Sequence, residues 1–306
     1  MAQMLERILD FENMTEAWRA TSRRGKSAGV DHWRVRRFAR HWEKYLRDLT
    51  TEVRGNHYKP CKLRIRYIPK RRGGRRRLAI PTVRDRVLQR AVLQVLGPKL
   101  DRRFLSCSYG YRPKRSLFHA VAAILRYRDR GFTWLLDADI DDYFSSVDII
   151  LLDRLIAQVT GDPQVLYLLR LWLNAGLVDR KRKKGIAQGM PIAPLLSNLY
   201  LHEMDRRLVH LRWALVRYAD DFIVLTRDRD SAERCRYLVA EVLADLKLKF
   251  QPEKTRITSF DEGFEFLGVA FDQSSYTYTW QDKKIRVHGR RGPLWSMWRY
   301  FPHGYE

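Results

Sequence analysis

The sequence predicts an α+β fold built around an antiparallel sheet. Segments with apolar residues at three- and four-residue spacings, typical of amphipathic helices, are interspersed with short segments of strand character. Neighbouring strand segments are joined by tight turns, as in hairpins. The two kinds of segment do not alternate strictly, as the strands and helices of a parallel sheet would.

The helices and strands can be assigned in order along the chain. Helices are predicted at residues 1–23, 33–53, 84–104, 116–128, 163–175, 195–211 and 231–248. For the fifth of these, Asp162 is the predicted N-cap, Pro163 the first helical residue and Gly176 the residue just beyond the end. Strands are predicted at 62–70 and 78–81, which form a hairpin with a cationic tip, at 132–140, at 214–218 and 222–225 around an acidic turn, and in the remainder of the chain.

Composition and charge limit the possible partners. The 306 residues are 45% hydrophobic and 31% charged, which suits a globular protein of two or three lobes. The 59 lysines and arginines exceed the 35 acids by 24 charges, and aromatic residues are interspersed among them. This pattern predicts binding to a nucleic acid, with a merely basic surface as the alternative.

Nothing in the sequence indicates export or a membrane span. There is no apolar run long enough to cross a bilayer, and the first residues include acids instead of an apolar signal core. Cys61, Cys107 and Cys235 are far apart, so neither a metal cluster nor a disulfide framework is expected. A cytoplasmic protein without membrane partners is therefore predicted.

The stretch RYADDFIVL places two acids between apolar strands. Asp220 and Asp221 would both project from a tight turn, where adjacent carboxylates repel each other unless a cation lies between them. A further acid, Asp139, ends the predicted strand at 132–140, where it is costly unless ligated. Asp137 and Asp141 share its face by strand alternation, so the pattern alone does not choose among the three.

Three converging carboxylates suit a specific chemistry. They can hold two Mg²⁺ ions about 3.5–4 Å apart, the arrangement used for in-line phosphoryl transfer. One ion would lower the pKa of an attacking 3′-hydroxyl, and the other would neutralise a triphosphate and its leaving pyrophosphate.

An ordered set of motifs resembles the reverse transcriptases, in particular the bacterial lineage related to group II intron reverse transcriptases. YADD, with Asp139 in D-I-x-x-Y-F upstream, resembles the palm of that family. Further blocks in matching order are IPKRRGGRRRLAIPTVRDRVLQRA (68–91), YGYRPKRS (109–116), GIAQGMPIAPLLSNLYL (185–201), PEKT (252–255) and FEFLG (264–268). KSAGVD and YKP near the start also have counterparts. Ala187 and Ala193 depart from the family, which usually has proline and serine there.

The resemblance implies a right-hand polymerase fold with fingers and palm, an antiparallel palm sheet packed on helices, and a thumb that is reduced or absent. The predicted domains are fingers at 1–128, a palm at 129–275 with an inserted fingers segment around 150–190, and a C-terminal hairpin with a basic-aromatic tail at 276–306. The implied activity is that of an RNA-directed DNA polymerase.

Carried over by motif, the resemblance also assigns residues. The predicted metal-site residues are Asp139, Ile140, Asp220 and Asp221, of which the three aspartates are catalytic. The predicted nucleotide-binding residues are Lys70, Arg76, Phe144, Gln188, Gly189 and Lys254. Phe144 matches an aromatic steric gate that leaves no room for a 2′-hydroxyl, with a core phenylalanine as the alternative.

Basic turns are predicted to touch template or primer. The predicted nucleic-acid-binding residues are Arg71, Arg72, Arg75, Arg77, Tyr111, Arg112, Lys181, Arg182 and Lys183. Solvated surface turns are the alternative interpretation.

The predicted cofactor is Mg²⁺, as two ions, with Mn²⁺ as a substitute. The predicted partners are an RNA template, a DNA primer and dNTPs. GGRRRLAIP and the compact chain are similar to the CRISPR-associated branch of the family, and antiphage defence is a further setting; the CRISPR branch would add integrase subunits as partners. Two rival functions stay open: a non-catalytic RNA-binding protein on a polymerase fold, and a template-independent terminal transferase.

Overall fold

The computed structural model of the protein describes residues 3–24, 27–69, 75–280 and 283–288. Within these residues the helices are α1 (Gln3–Leu9), α2 (Phe11–Arg24), α3 (Val35–Ala39), α4 (Trp42–Arg54), α5 (Val83–Asp101), α6 (Leu117–Arg128), α7 (Tyr143–Ser146), α8 (Ile149–Thr160), α9 (Pro163–Gly176), α10 (Ala193–His210) and α11 (Arg229–Asp245). The strands are β1 (Arg64–Pro69), β2 (Arg75–Ile80), β3 (Trp134–Ala138), β4 (Ala214–Tyr218), β5 (Asp221–Thr226), β6 (Arg256–Ser259), β7 (Phe264–Phe266), β8 (Val269–Phe271), β9 (Ser275–Trp280) and β10 (Lys283–His288).

The chain divides into two compact units, each made of separate stretches of sequence. The first unit comprises Met1–Arg103 and Phe144–Tyr200, and the second comprises Phe104–Tyr143 and Leu201–Glu306. Helix α10 contributes residues to both units. The domain boundaries expected from the family motifs stay a prediction.

The first unit is mainly helical and is centred on α5. Helices α1, α2 and α4 pack on α5, and α8 packs on α9. Helix α5 begins at the N-cap Thr82, whose hydroxyl donates to the Asp85 carboxylate at 2.7 Å. Gly29 of the KSAGVD loop lies so close that a Cβ there would be 2.6 Å from the Thr82 Cα. The loop therefore requires glycine to approach the start of α5.

The hairpin of β1 and β2 also belongs to the first unit. The strands are antiparallel, with Arg64 opposite Ile80 and Pro69 opposite Arg75. Most of their residues are exposed, which leaves the arginines of both strands accessible to solvent. The predicted hairpin is confirmed, but its tip at residues 70–74, with Lys70, Arg71 and Arg72, lies outside the described residues.

Among its described residues, the second unit contains two antiparallel four-stranded sheets. In the first sheet the strand order is β4-β5-β3-β6, with α11 packed on β3, β5 and β6 and α6 packed on β4. In the second sheet the order is β10-β9-β8-β7. Its buried aromatic residues share one core with α6 and the first sheet, among them Phe264, Phe266, Phe271, Tyr276 and Tyr278. The predicted α+β class with an antiparallel sheet is confirmed.

Local chemistry explains where the helices depart from prediction. The predicted helix 1–23 is broken at Asp10, whose carboxylate accepts the backbone N–H groups of Glu12 and Asn13 at 3.0 and 3.2 Å and so caps α2. The predicted helix 33–53 is likewise two helices, α3 and α4. Helix α8 was not predicted from the sequence, and its N-cap Asp148 accepts the N–H of Leu151 at 2.8 Å.

The start of α9 was predicted correctly and its end was not. Asp162 caps the helix by accepting the N–H of Gln164 at 3.0 Å, and Pro163 is the first helical residue. Gly176 was expected beyond the end, but the helix includes it. A Cβ there would be 2.9 Å from the Met190 Cε and 3.2 Å from the Ala187 Cβ, so this glycine allows close packing instead of ending the helix.

We predict that Trp172→Ala destabilises the protein by about 3–5 kcal/mol. Trp172 is 1% exposed, and its indole donates a hydrogen bond to the Tyr58 hydroxyl at 2.9 Å. Truncation therefore leaves a cavity and removes one of the two hydrogen bonds of that hydroxyl, which still donates to Asp85 at 2.8 Å. Urea denaturation measures the effect. Tyr167→Ala on the same helix, at a residue 47% exposed, is the control and should change stability by about 0.5 kcal/mol or less. Equal losses in the two variants would contradict the prediction.

Candidate active site

The acidic turn is a two-residue hairpin loop. Strands β4 and β5 pair up to Tyr218 opposite Asp221, which leaves Ala219 and Asp220 as the loop. Ala219 has a φ of 60°, a left-handed conformation that is uncommon for a residue with a Cβ. The hairpin thus presents Asp220 and Asp221 at the end of the sheet, as predicted from the sequence.

Asp139 reaches the same end of the sheet on the neighbouring strand. Leu136 pairs with Val224 and Ala138 with Phe222, so the same register one residue further on brings Asp139 opposite Asp221. The Asp139 backbone carbonyl accepts the N–H of Gln251 at 2.8 Å, and the residue is 9% exposed. Backbone hydrogen bonds to the neighbouring chain segments therefore fix the position of the Asp139 backbone.

The charges of these acids influence one another. Loss of hydration raises the pKa of Asp221 to about 7, and the charges of Asp220 and then Asp139 add to this rise. Neighbouring negative charges favour the neutral, protonated form, so both acids act in the same direction as the loss of hydration. The second unit thus concentrates negative charge at one end of the strands β3, β4 and β5.

A lysine partly compensates this charge. The ammonium of Lys254 contacts the Asp139 Oδ2, and that hydrogen bond raises the pKa of Lys254. Lys254 is brought there by the bridge between Ile140 and Phe250 and by the short 3₁₀ turn of Pro252–Lys254. The predicted Ile140 contributes through this backbone bridge, while its side chain is 2% exposed.

The structure also distinguishes Asp139 from its neighbours. Asp137 lies within β3, and its carboxylate accepts a hydrogen bond from the Arg256 Nε of β6 at 3.3 Å. Asp141 is exposed beyond the strand. Asp139 is the acid of the three whose strand position continues the register opposite Asp221.

The acids suit a divalent cation by their chemistry. Carboxylate oxygens are hard ligands, their mutual repulsion calls for a cation, and an ammonium already contacts one of them. Within the described ranges, however, no three His, Cys, Asp or Glu side chains are arranged in a geometry that could hold a metal ion. Asp139, Asp220 and Asp221 would therefore have to reorient their carboxylates to hold Mg²⁺.

Three predicted nucleotide-binding residues come together within the first unit. The Phe144 carbonyl accepts the N–H of Ile186 at 2.7 Å, and the Gln188 carbonyl accepts the N–H of Ala79 on β2 at 2.7 Å. Gly189 has a φ of 110°, and a Cβ there would be 2.6 Å from the Ala79 carbonyl oxygen. The loop that contains Gln188 and Gly189 is therefore held between Phe144 and the β1–β2 hairpin.

The predicted nucleic-acid contacts have different environments. Arg75 is exposed on β2 and Arg77 is half-buried, while Lys181, Arg182, Lys183 and Tyr111 are exposed. Arg76, predicted to bind the nucleotide, is also exposed on β2. Arg112 is 8% exposed, and its guanidinium donates to the carbonyls of Leu105 and Ser108 at 2.6 and 3.0 Å. For Arg112 this position favours a structural role, and its contact with nucleic acid stays a prediction.

Sequence reasoning missed three residues that support the hairpin. Arg217 and Asp205 form a fully buried ion pair beneath it, and Gly110 lies against its loop. The one available signal was a charged residue inside the apolar run ALVRY, since an arginine in a buried strand must find a partner. Its partner, 12 residues earlier in the chain, could not be inferred from spacing.

Comparison with known proteins assigns the family. The family model described as "Reverse transcriptase (RNA-dependent DNA polymerase)" matches residues 68–271, about two thirds of the chain. The chain belongs to the reverse transcriptase family. The match includes Asp139, the hairpin loop and Lys254, as well as the loop of Gln188 and Gly189.

Relatives of known sequence place this reverse transcriptase in the group II intron-like lineage. The protein YkfC of Escherichia coli is 32% identical, with 87% of this chain and 82% of YkfC covered. The group II intron-encoded protein LtrA of Lactococcus lactis is 28% identical, with 70% of this chain but only 38% of LtrA covered. The predicted lineage and the predicted enzyme class, an RNA-directed DNA polymerase, are confirmed.

Solved structures support the fold. The apo telomerase of Candida tropicalis matches with a TM-score of 0.56 at 15% identity, over 76% of this chain and 52% of the telomerase. This likeness shows a shared reverse transcriptase fold. Among the described residues there is also no helix with the length and apolarity needed to cross a membrane.

We predict that Asp221→Asn stabilises the metal-free protein at high pH. The pKa of Asp221 is raised from about 3.9 in an unfolded chain to about 7, so the stability tied to its protonated form is complete below about pH 4 and lost as the pH rises through 7. In EDTA at pH 8 the variant should melt about 2–4 °C above the wild type, with a smaller difference at pH 5.

Thermal melts across this pH range make the measurement. Asp261→Asn, at an exposed residue in the loop after β6, is the control and should follow the wild type. The expectation is wrong if the Asp221 variant keeps the wild-type pH dependence. Addition of Mg²⁺ should stabilise the wild type more than the variant, because the variant lacks one carboxylate ligand.

Proposed function

We propose that this reverse transcriptase extends the 3′ end of a DNA primer on an RNA template with dNTPs, by phosphoryl transfer at Asp139, Asp220 and Asp221. The single observation that carries the proposal is the β3–β5 register, which brings Asp139 to the hairpin loop in a chain of this family. Reverse transcriptases use divalent metal ions, and the proposed pair of Mg²⁺ ions, replaceable by Mn²⁺, follows from the oxygen donors available.

The aspartates and Lys254 would have different roles in the reaction. When bound, the two ions would lower the pKa of the 3′-hydroxyl and neutralise charge on the triphosphate. The carboxylates of Asp139, Asp220 and Asp221 would hold these ions at the end of the sheet. Lys254 is proposed to exchange its contact with Asp139 for one with the triphosphate, because a charged phosphate oxygen is an equally good acceptor for an ammonium.

The nucleotide pocket and the nucleic-acid surface are proposed from the first unit. Gln188 would donate from its amide to the sugar or template, and Gly189 would allow close approach of the backbone. Arg76, exposed on β2, would contact the triphosphate. The exposed cations of β2 and of residues 181–183 would contact phosphates, so binding should weaken with salt.

The rival function is RNA binding without catalysis. The basic surface would serve that function equally well, but the concentrated carboxylates would oppose it, because uncompensated negative charge repels RNA. A terminal transferase would use the same acids and differ by its independence of a template.

We predict that Asp220→Ala reduces primer extension by about 10²–10³-fold or more, since the loss of a charged group at a reacting centre has effects of this size. Extension of oligo(dT) on poly(rA) with dTTP and Mg²⁺ is the assay, and Asp261→Ala is the matched acidic control. RNA binding should persist in the variant. Binding without extension in the wild type would favour the rival, and equal extension without template would indicate a terminal transferase.

We predict that Phe144→Ala weakens the preference for dNTPs over rNTPs by about 10–100-fold, because removal of the ring makes room for a 2′-hydroxyl. The ratio of kcat/KM for dTTP and UTP measures this preference. Phe144→Tyr retains the ring and should retain the preference. Phe144 is 9% exposed, so both variants are first checked by thermal melting. Unchanged preference in the alanine variant would indicate a core phenylalanine.

The biological setting is proposed from sequence resemblance alone. The motif GGRRRLAIP supports a role in CRISPR spacer acquisition from RNA, with integrase subunits as partners, and antiphage defence is the second setting. An integrase gene beside the reading frame, and co-purification with its product, would support the first. Flanking ribozyme sequence would indicate an intron origin instead. A cytoplasmic location stays a prediction.

A further inference from the structure

A buried ion pair lies beneath the acidic hairpin. Arg217 of β4 and Asp205 of α10 are both 0% exposed at their side chains. The Arg217 Nε donates to the Asp205 Oδ1 at 2.7 Å, and the Nη2 donates to the Oδ2 at 2.5 Å, so the pair is bidentate. Such a geometry holds a planar guanidinium in one orientation.

The third nitrogen of the guanidinium is directed at the hairpin loop. The Arg217 Nη1 donates to the carbonyl oxygen of Ala219 at 2.9 Å. Ala219 immediately precedes Asp220 and has the uncommon φ of 60°. A loop residue in this conformation persists only when its surroundings hold it, and this hydrogen bond is a contact that does so.

Backbone contacts hold the same strand from its outer edge. The N–H of Arg217 donates to the Cys107 carbonyl at 2.8 Å, and the N–H of Tyr109 donates to the Arg217 carbonyl at 2.8 Å. Gly110 then approaches the loop so closely that a Cβ there would be 2.4 Å from the Ala219 nitrogen. The hairpin is thus held by a side chain beneath it and by a chain segment beside it.

Stability by itself does not account for the ion pair. The cost of removing two charges from water largely cancels their attraction, and well-packed apolar side chains often serve as well or better. What an apolar pair would lose is the oriented donor to the Ala219 carbonyl. The value of the arrangement therefore lies in its geometry at the loop.

We propose that Arg217 and Asp205 are positioning residues that fix the Ala219 carbonyl and so hold the backbone of Asp220 and Asp221 in register with Asp139, from which their carboxylates would turn toward a shared Mg²⁺. The inference rests on the proposed function, since it assigns a task to groups that act through those carboxylates. Loss of the pair should weaken Mg²⁺ binding and slow the chemical step while leaving nucleotide binding nearly unchanged.

The test replaces the pair by apolar residues of similar size. In the double variant Arg217→Met/Asp205→Leu, kcat for extension on poly(rA)/oligo(dT) should fall about 10–100-fold, and the Mg²⁺ midpoint should rise about tenfold, as for other groups that orient metal ligands. The KM for dTTP should stay within about threefold. The melting temperature should stay within a few degrees of the wild type.

The chain offers a matched control with the same bidentate geometry. Arg170 donates from Nε and Nη2 to the two carboxylate oxygens of Asp153 at 2.6 and 2.8 Å, in a partly exposed pair on α9 and α8. Arg170→Met/Asp153→Leu should leave kcat and the Mg²⁺ midpoint unchanged. Wild-type values in the Arg217 double variant, or equal losses in the control, would overturn the proposal.

Two further readings separate folding and function. If the double variant does not fold, Arg217→Lys tests the positioning role instead. Lysine keeps the positive charge beside Asp205, but its single ammonium cannot make the bidentate pair with Asp205 and the hydrogen bond to the Ala219 carbonyl at the same time. A wild-type Mg²⁺ midpoint in that variant, or its failure to fold, counts against a positioning role. If the wild type does not extend primers, the proposed function fails, and the Mg²⁺ midpoint of thermal stabilisation in the wild type and the double variant still tests the positioning.

Discussion

The register between β3 and β5 is the constraint on which the candidate site depends. Strand β3 lies between β5 and β6, with antiparallel pairing on both sides, so its position along the sheet is fixed twice. A slip of one residue would put Asp137 in the place of the buried Leu136, or Trp134 in the place of the buried Leu135, and the core would resist either change. The same register brings Asp139 opposite Asp221. Packing of apolar side chains thereby determines where the backbone places the proposed catalytic aspartates.

This arrangement is electrostatically unfavourable for the protein alone. Loss of hydration and the neighbouring charges of Asp220 and Asp139 raise the pKa of Asp221, while the ammonium of Lys254 contacts Asp139. Functional sites commonly sacrifice stability in this way, because the groups that bind a cation or substrate are left unbalanced without it. The loop adds backbone strain at Ala219, which contacts from Arg217 and the segment around Gly110 hold in place.

Each compact unit assembles residues that are distant in sequence. In the first unit, the backbone contact between Ala79 and Gln188 joins β2 to a loop more than a hundred residues later. In the second, the Cys107–Gly110 segment is bonded to β4, and β3 pairs with both β5 and β6. These long-range pairings explain why the family motifs are spread over most of the chain. Each motif supplies one side of a contact whose other side lies in another motif.

The sequence by itself determined the α+β class, the basic hairpin, the acidic turn between two apolar strands and the family, because periodicity, turn residues and ordered motifs are local properties. It also indicated Asp139, but strand alternation placed Asp137 and Asp141 on the same face. Only the tertiary structure distinguished them, since the choice depends on which residue follows Ala138, the last residue of β3 that pairs with β5. The Arg217–Asp205 pair and the contact of Gly110 with Ala219 were likewise decided by folding. Such contacts join elements that are separate in the sequence. They depend on the shape of a buried space and on the need to pair a charge inside it, and both arise only when those elements pack together.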